Sequence, residues 1–357
     1  MFSNFFLKSF RILLLPVSLL YWFVIYIRSR LYDAGIFKSV PFGLPVICVG
    51  NLSVGGTGKS PMVEYLVEIL KNQYRVATLS RGYKRKTRGY ALANENSTAL
   101  EIGDEPMQFY LKFPGIPVAV GEKRIEAIPQ LLHDRADTQV IILDDALQHR
   151  EIEAGLNILL TDYSNLYTRD FYIPSGDLRD LKSNYRRASI IVVTKCSPDL
   201  SKTEREKIIK EINPLSDQHI FFTELVYEDM YHLTGKSDFK LNEKTEVLLV
   251  SGIANPLPLQ KMLENECKSY SMLHYPDHHI FTIDDLKEMK RKFGEMNTKN
   301  KIILSTEKDA VRLVKFKAEV QDLPLYIIPV RHSFLFEEAE PFKELINGFI
   351  NNFKKKD

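Results

Sequence analysis

Residues 50–61 read GNLSVGGTGKSP, and this glycine-rich stretch decides which fold the chain can adopt. It is preceded by the apolar run PVICV and followed by MVEYLVEIL, in which apolar residues recur at helical spacing. A buried strand, a glycine-rich loop and a helix in that order are typical of a phosphate-binding loop. The backbone N–H groups of such a loop surround an anion at the helix N-terminus. The sequence therefore predicts a nucleoside triphosphate site, with an ordinary strand-to-helix connection as the alternative.

Two side chains at the end of this loop have a defined chemistry. Lys59 supplies a mobile positive charge, and Ser60 supplies a hydroxyl ligand for Mg²⁺. The strict motif has glycine where Ser53 stands, so we expect a first turn that is wider or held by the serine hydroxyl. The residues expected to bind the nucleotide are Ser53, Gly55, Gly56, Thr57, Gly58, Lys59 and Ser60.

Composition sets the size class and narrows the partners. The 357 residues suffice for about two domains, and 45% hydrophobic with 26% charged residues is ordinary for a globular protein. A net charge of +2, without a basic stripe that interleaves aromatic residues, gives no sign of nucleic-acid binding. The three cysteines lie far apart, which is typical of a protein in a reducing cytoplasm. No protein partner is evident from the sequence.

The N-terminal segment differs in kind from the rest of the chain. Residues 12–27, ILLLPVSLLYWFVIYI, carry no charge, and basic residues flank them on both sides. As a helix these 16 residues rise about 24 Å, less than the roughly 20 residues needed to span a hydrocarbon core. Trp22 with its neighbouring tyrosines suits an interfacial belt. We expect a helix that lies in the membrane interface or inserts shallowly; a spanning helix and a buried core helix are the alternatives.

Apolar strand-like runs alternate with helical stretches after the loop, which predicts an α/β fold with a mostly parallel sheet. A polar, hairpin-like segment interrupts the alternation, and a second strand–helix series then begins. The predicted organisation is an N-terminal membrane-associated helix at 1–30, a P-loop NTPase-type domain at 31–220, a hairpin-like linker at 221–244 and a smaller α/β domain at 245–357.

A second motif, QVIILDDALQHR at 139–150, completes the expected nucleotide site. Asp144 and Asp145 follow a very apolar strand, which is where an acid holds Mg²⁺ opposite the phosphate loop. One aspartate can cap the next helix, but a cap does not require two adjacent acids. Gln148 lies one turn further on, where it can orient a metal-bound water. The predicted Mg²⁺ site therefore comprises Ser60, Asp144, Asp145 and Gln148.

The nucleotide base can be read in part from IIVVTKCSPD at 190–199. This run is close to the Asn-Lys-x-Asp loop that recognises guanine. Thr194, however, replaces the asparagine, and Ser197 stands where the aspartate belongs. We therefore expect adenine as the base and ATP as the nucleotide.

Further segments resemble one enzyme family. LSRGYKRK, IGDEPMQ, LDDALQHR, PSGDLRD, HYPDHHIF and STEKDAVRL, with the phosphate loop, occur in the order and approximate spacing seen in tetraacyldisaccharide 4′-kinases. The resemblance runs from the hydrophobic N-terminus to about Leu313. It implies a two-domain P-loop kinase, monotopic on the cytoplasmic face of the inner membrane of a Gram-negative bacterium. Such a kinase uses ATP and Mg²⁺ to phosphorylate the 4′-hydroxyl of a lipid A precursor, a tetraacylated glucosamine disaccharide 1-phosphate, which gives lipid IVA.

The resemblance also implies roles for single residues. Asp104 in IGDEP matches the family's general base, and His278 in PDHH matches its partner histidine. A carboxylate within hydrogen-bond reach of a sugar hydroxyl can take its proton during phosphoryl transfer. Read from the local sequence alone, Asp104 is a helix cap. Positions that the family places around the sugar and phosphates are matched by Tyr83, Arg124 and Arg179.

Three segments leave alternatives open. At Asp180 the family usually has glutamate, so a ligand role for this shorter carboxylate is in doubt. Lys308 and Asp309 have no assigned chemistry beyond a structural or domain-interface one. The histidines of HYPDHH also resemble a metal cluster, although Pro276 interrupts helical ligand spacing and disfavours zinc.

Two other functional classes compete with the kinase interpretation. A membrane-anchored P-loop ATPase or switch protein has the same phosphate loop and aspartate pair but no lipid acceptor. The GDEP and PDHH segments speak against that class because they supply an acid–base pair. A noncatalytic membrane-bound scaffold requires the intact Lys59, Ser60 and aspartate pair to be idle.

Overall fold

The structure, a computed structural model, describes residues 11–235 and 238–353 and builds them around two large β-sheets. Helices cover both faces of the first sheet, where two separate apolar clusters form. The helices are α1 (Leu15–Asp33), α2 (Lys59–Leu70), α3 (Ala99–Ile102), α4 (Asp104–Lys112), α5 (Arg124–Asp134), α6 (Lys202–Ile212), α7 (Leu257–Glu266), α8 (Ile283–Glu295), α9 (Glu307–Leu313), α10 (Lys317–Val320) and α11 (Ala339–Asn351), with 3-10 helices at Lys182–Arg187 and Val314–Phe316. The strands are β1 (Val40–Pro41), β2 (Val46–Asn51), β3 (Val76–Ser80), β4 (Ala91–Leu92), β5 (Val118–Val120), β6 (Val140–Asp144), β7 (Ile152–Glu153), β8 (Leu156–Asp162), β9 (Ile190–Thr194), β10 (His219–Tyr227), β11 (Met230–His232), β12 (Asp238–Phe239), β13 (Glu246–Ser251), β14 (Ser269–His274), β15 (Lys301–Thr306), β16 (Leu325–Ile328) and β17 (Val330–Phe334).

The first sheet has nine strands in the order β17-β10-β9-β8-β2-β6-β3-β5-β4. The strands from β10 to β5 in that order run parallel, and the edge strands β4 and β17 are antiparallel to their neighbours. Strands β2 and β6 are buried on both faces, which is why they read as continuous apolar runs in the sequence. The predicted α/β fold with a mostly parallel sheet is confirmed. Because β2 pairs with β6, the loops that follow these two strands lie side by side.

The second sheet has six strands in the order β12-β11-β16-β15-β13-β14. Four of them are parallel, and β11 and β12 form an antiparallel pair at one edge. Residues of α8 and α9 pack on one face, and residues of α7 pack on the other. A small two-stranded sheet of β1 and β7 lies apart from both. The second strand–helix series expected from the sequence is therefore present.

The chain divides between the two sheets differently from the predicted linker at 221–244. β10 continues to Tyr227 inside the first sheet, where it pairs with β9 and β17. After the second sheet the chain returns, because β17 joins the edge of the first sheet and Phe342 and Ile346 of α11 pack into its core. The second sheet is thus an insertion. Local hydrophobic periodicity cannot predict that the chain returns to the first sheet, because the residue pattern of a strand is the same whichever sheet the strand joins.

Helix α1 turns polar side chains toward the protein and apolar side chains outward. Ser18 and Ser29 are buried, whereas Leu19, Phe23 and Val24 are exposed by 63%, 51% and 56%. Within the described residues, no helix has the length and apolar character needed to cross a bilayer. The expected helix is present from residue 15, and the part of the predicted segment before residue 11 lies outside the described residues.

Candidate active site

The phosphate loop follows β2 and ends at the first residue of α2, as the motif predicts. Gly58 has φ = +83°, in the left-handed region that glycine adopts without strain. Ser53, which replaces the first glycine of the motif, forms a backbone bridge with Leu178. The N–H of Val54 donates to the carbonyl of Asp177 at 2.7 Å. Backbone contacts with a neighbouring segment therefore hold the first turn of the loop.

Buried hydrogen bonds fix the phosphate loop from behind. Asn51 Nδ2 donates to Oγ1 of Thr57 at 3.0 Å, and Thr194 Oγ1 donates to the carbonyl of Thr57 at 2.9 Å. His332 Nε2 lies 2.8 Å from the carbonyl oxygen of Gly58. Burial lowers the pKa of His332 to about 4, so the imidazole is neutral and donates this bond through Nε2–H. Thr194, a departure from the guanine-recognition motif, thus supports the loop.

Asp144 and Asp145 lie beside the phosphate loop. Burial, together with the charges of Asp145 and Glu105, raises the pKa of Asp144 to about 7. Asp145 is engaged by cations, because Lys59 Nζ lies 3.8 Å from its Oδ1 and the Arg179 guanidinium contacts both carboxylate oxygens. Burial alone raises the pKa of Asp145, but these cations outweigh burial and hold it below its ordinary value.

The charge and donor set of this region fit a divalent cation. The raised pKa of Asp144 means that nearby positive charge does not compensate for its burial. Ser60 on α2 offers a hydroxyl, and Mg²⁺ is commonly bound by one or two protein ligands together with substrate phosphates. The chain, as far as it is described, contains no group of three or more His, Cys, Asp or Glu side chains placed to hold a metal by themselves. Gln148 Nε2 donates to the carbonyl of Asn51 at 2.6 Å.

The two arginines expected around the substrate lie at different depths. Arg179 is partly exposed; its Nη1 donates to Asp145 Oδ2 at 3.0 Å, and its Nη2 contacts the Asn51 side chain. Arg124 is fully buried and donates to backbone carbonyls, including that of Asp144 at 3.4 Å. Because it lies behind Asp144, Arg124 supports the acidic loop in this structure. Its predicted contact with the sugar or phosphates stays a prediction.

Asp104, the first residue of α4, is contacted by two side chains from the second sheet's layer. Nδ1 of His278 lies 2.7 Å from Asp104 Oδ2. Arg312 on α9 donates from Nε to Asp104 Oδ1 at 2.7 Å, and its Nη2 contacts Oδ2. All three side chains are at most 11% exposed. The structure thus brings the predicted pair into direct contact and adds an arginine to it.

The groups around Asp104 favour its ionised form. Burial alone raises the pKa of Asp104, but the hydrogen bonds from His278 and Arg312 outweigh burial and hold the pKa below its ordinary value. An ionised carboxylate only accepts hydrogen bonds, so His278 donates through Nδ1–H and leaves its Nε2 for other partners. Lys308 Nζ lies 3.4 Å from that Nε2 and 2.8 Å from Asp277 Oδ1. Lys308 therefore belongs to the site.

Three other residues singled out by the sequence have clear positions. Tyr83 is 60% exposed, and its ring centroid lies 5.9 Å from that of His278, so it stands at the open side of the site. Asp180 is buried and accepts a hydrogen bond from an asparagine amide at 2.6 Å. Asp309 is buried and accepts from the N–H of Gly252 at 3.1 Å. Asp180 and Asp309 thus serve the internal structure.

Sequence reasoning missed Asn51, Glu105, Arg312 and His332. Glu105 lies close enough for its charge to raise the pKa of Asp144 and to act on Lys59. Arg312 was discoverable, because it lies one helical turn after Lys308 in the same motif and so shares its face. His332 on the returning edge strand carries no local signal.

Comparison with known proteins gives one family. The family profile described as Tetraacyldisaccharide-1-P 4'-kinase matches residues 10–351. The chain is 46% identical over 326 residues to the tetraacyldisaccharide 4'-kinase of Flavobacterium johnsoniae, covering 91% of this chain and 93% of that one. It is 40% identical over 351 residues to the same enzyme of Bacteroides thetaiotaomicron, covering 94% and 92%.

A solved structure agrees with these sequence matches. The crystal structure of the "apo" form of LpxK from Aquifex aeolicus in complex with ATP has a TM-score of 0.75 and 29% sequence identity to this chain. The match covers 96% of this chain and 99% of that chain. The family predicted from the motifs is confirmed over nearly the whole length. The chain belongs to the tetraacyldisaccharide 4′-kinase family.

Proposed function

We propose that this kinase transfers the γ-phosphoryl group of ATP to the 4′-hydroxyl of a tetraacylated glucosamine disaccharide 1-phosphate where its two sheets meet. This reaction gives lipid IVA in lipid A biosynthesis. The observation that carries the assignment of the site is the 2.7 Å contact between Asp104 on α4, beside the first sheet, and His278 in the loop that follows β14 of the second sheet. Family membership supports the substrate class and the phosphoryl donor.

The first sheet provides the nucleotide half of the site. The backbone N–H groups of the phosphate loop bind the phosphates, and Lys59 adds a positive charge. Ser60 and Asp144 would hold Mg²⁺, which neutralises charge on the phosphate oxygens, with Asp145 and Gln148 next to them. Arg124 supports Asp144 from behind. The proposed nucleotide contacts are Ser53, Gly55, Gly56, Thr57, Gly58, Lys59 and Ser60.

Asp104 is the proposed general base. It takes the proton of the 4′-hydroxyl as the new oxygen–phosphorus bond forms and the bond to the ADP leaving group breaks. His278 orients this carboxylate through its Nδ1–H. General-base catalysis of this kind contributes on the order of 10² to 10⁴ in rate.

Tyr83 and Arg179 are proposed to contact the acceptor. Tyr83 presents an exposed ring beside His278, and such a ring offers an apolar face to a sugar. Arg179 presents a guanidinium near Asp145, suited to an anionic substrate that already carries a phosphate.

The membrane surface adjoins this side of the site. The hydroxyl of Tyr21 on α1 donates to the carbonyl of Arg179 at 2.8 Å, and Ser18 Oγ donates to Ser175 Oγ at 2.8 Å. The outward face of α1 is apolar. We infer that α1 lies in the interface on the cytoplasmic face of the inner membrane, so that the acyl chains stay in lipid while the sugar reaches Asp104.

The test is transfer of phosphate from labelled ATP to the lipid disaccharide by the purified full-length kinase in detergent. We expect the parent to label the lipid, and Asp104→Asn to lose about 10²-fold or more in kcat. Lys59→Ala and Ser60→Ala should also cripple turnover while the variants stay folded. Asp284→Asn, at an exposed aspartate, is the matched control. ATP hydrolysis by the parent without lipid labelling would instead favour the membrane-anchored ATPase.

A further inference from the structure

Arg312 makes the most extensive contact with the proposed base and has no role so far. Its guanidinium binds both oxygens of Asp104, and its Nη1 donates to the carbonyl of His279 at 2.7 Å. The arginine is therefore fixed at both ends of its planar group. A bidentate guanidinium–carboxylate pair sets orientation as well as charge.

We propose that Arg312 is a positioning residue of phosphoryl transfer, which fixes the Asp104 carboxylate so that Oδ1 receives the proton of the acceptor hydroxyl. This inference rests on the proposed function of Asp104 as the base. Beyond that function, the inference specifies which oxygen of Asp104 accepts the proton and which residue positions that oxygen.

The hydrogen-bond donors around Asp104 leave Oδ1 as the oxygen that can accept a further proton. Oδ2 receives Nδ1–H of His278 and Nη2–H of Arg312, whereas Oδ1 receives Nε–H of Arg312. An ionised carboxylate has about four acceptor sites, two on each oxygen. The two donors on Oδ2 fill that oxygen, so the remaining acceptor site of this 4% exposed residue is on Oδ1.

The proton balance of the step is simple. The acceptor O–H bond breaks, its proton passes to Oδ1, and the oxygen forms a bond to the γ-phosphorus as ADP departs. Among the residues that the structure describes, the charged or titratable side chains bonded to Asp104 are His278 and Arg312. Lys308 and Asp277 lie beside His278 on its Nε2 side. Arg312 lowers the pH at which Asp104 becomes ionised, because an adjacent cation favours the charged carboxylate.

The experiment is the pH profile of kcat/KM for Arg312→Met and Arg312→Lys, measured with full-length enzyme, ATP and lipid disaccharide in detergent. Removing the guanidinium raises the pKa of Asp104, so the acid limb should move upward by about 1 pH unit in Arg312→Met. Its kcat should fall at least tenfold, with the KM for ATP unchanged. Arg312→Lys keeps the positive charge but loses the bidentate contact with the carboxylate. The acid limb of its pH profile should therefore move less, while its kcat still falls.

Controls separate this inference from the function on which it rests. Arg291→Met removes an exposed arginine on α8 and should keep the parent profile. If the acid limb of the pH profile does not move in Arg312→Met while Asp104→Asn is inactive, only the proposed role of Arg312 is overturned, and that of Asp104 stands. Full turnover in Asp104→Asn overturns the proposed base instead. If Arg312→Met fails to fold by circular dichroism, Arg312→Lys decides, and a parent-like kcat in that variant rejects the positioning role.

Discussion

The first turn of α4 gives one residue two possible roles. From its neighbours, Asp104 looks like a helix cap, since Gly103 precedes it and a glutamate and a proline follow. In the structure its oxygens are bonded to His278 and Arg312, which lie 174 and 208 residues away in sequence. These partners favour its charged form and aim the carboxylate away from its own helix end. Its role is therefore set by distant residues.

The two residues of this pair should act as one unit. We expect Asp104→Ala to lose about 10²-fold or more in kcat while binding ATP nearly normally, and His278→Ala to fall in the same direction. The double variant should lose much less than the product of the two single losses, because without the base its partner has nothing to orient. Single-turnover rates measure the losses in turnover, and ATP titrations measure nucleotide binding. Multiplicative losses would assign the two residues independent roles.

His332 should matter for nucleotide binding although its side chain is buried and contacts only the backbone of the phosphate loop through Gly58. In His332→Phe the carbonyl of Gly58 loses its buried donor, and a lost buried hydrogen bond costs about 1–3 kcal/mol. We expect the KM for ATP to rise about tenfold, since about 1.4 kcal/mol corresponds to a factor of ten. His332→Gln retains an N–H donor and serves as the matched variant. Parent-like ATP binding in His332→Phe would argue against this support of the loop.

Among the helices, α1 reverses the usual pattern of a globular protein. Its serines face the protein, where Arg150 Nη1 donates to the carbonyl of Ser29 at 2.9 Å. Its residues Leu19, Leu20 and Phe23 face outward. Hydrogen bonds from Ser18, Tyr21 and Ser29 connect this helix to the segment between β8 and β9. An apolar stripe left outward in this way is suited to a lipid interface.

Substitution of that stripe should release the kinase from lipid without unfolding it. Leu19, Phe23 and Ile27 recur one turn apart on the exposed face, and each buried apolar side chain contributes about 1.5–3 kcal/mol. The triple glutamine variant should bind vesicles of phosphatidylethanolamine and phosphatidylglycerol at least about tenfold more weakly in flotation. Leu257→Gln, at an exposed leucine on α7, should float like the parent. Unchanged flotation of the triple variant would place the anchor elsewhere.

At the scale of the whole molecule, α4 and α9 join the two sheets through charges at both ends. Asp104 at the start of α4 meets Arg312 near the end of α9, and Lys112 at the end of α4 meets Glu307 at the start of α9. Lys112 Nζ also lies 2.8 Å from Glu64 Oε2 on α2, the helix that begins at the phosphate loop. The nucleotide loop, the proposed base and the second sheet are thereby linked.

This buried cluster predicts a pH dependence of stability. Burial and, to a lesser extent, the charge of Glu307 raise the pKa of Glu64 to about 7 against the opposing effect of Lys112. The folded state then binds more protons than the unfolded state between about pH 4.5 and 7, so this group's contribution to stability falls as pH rises through that window. Glu64→Gln should therefore be more favourable relative to the parent at pH 8 than at pH 5.5, as measured by urea unfolding.

Glu68→Gln on the same helix supplies the control. Its side chain is 58% exposed and pairs with Lys71, so the difference from the parent should not change with pH. A constant difference between Glu64→Gln and the parent at the two pH values would contradict the buried-carboxylate explanation.

Local signals predicted much of the site. The phosphate loop, the aspartate pair and the α/β alternation each lie within about a dozen neighbouring residues, so their periodicity and motif chemistry are readable directly. The pairing of Asp104 with His278 came from resemblance to a family, because no local rule joins residues so far apart. The buried position of Arg124 and the return of β17 escaped prediction. Burial and strand order depend on the packing of all the elements together.

The sequence by itself determined the phosphate loop, the alternation of strands and helices, the apolar character of α1 and the family. These features arise from backbone geometry and from apolar spacing between near neighbours. Only the tertiary structure decided that the second sheet interrupts the first, that His332 supports Gly58, and that Arg312 binds Asp104. Each of these depends on contacts between residues more than 100 positions apart, and their geometry is set by how the two sheets pack.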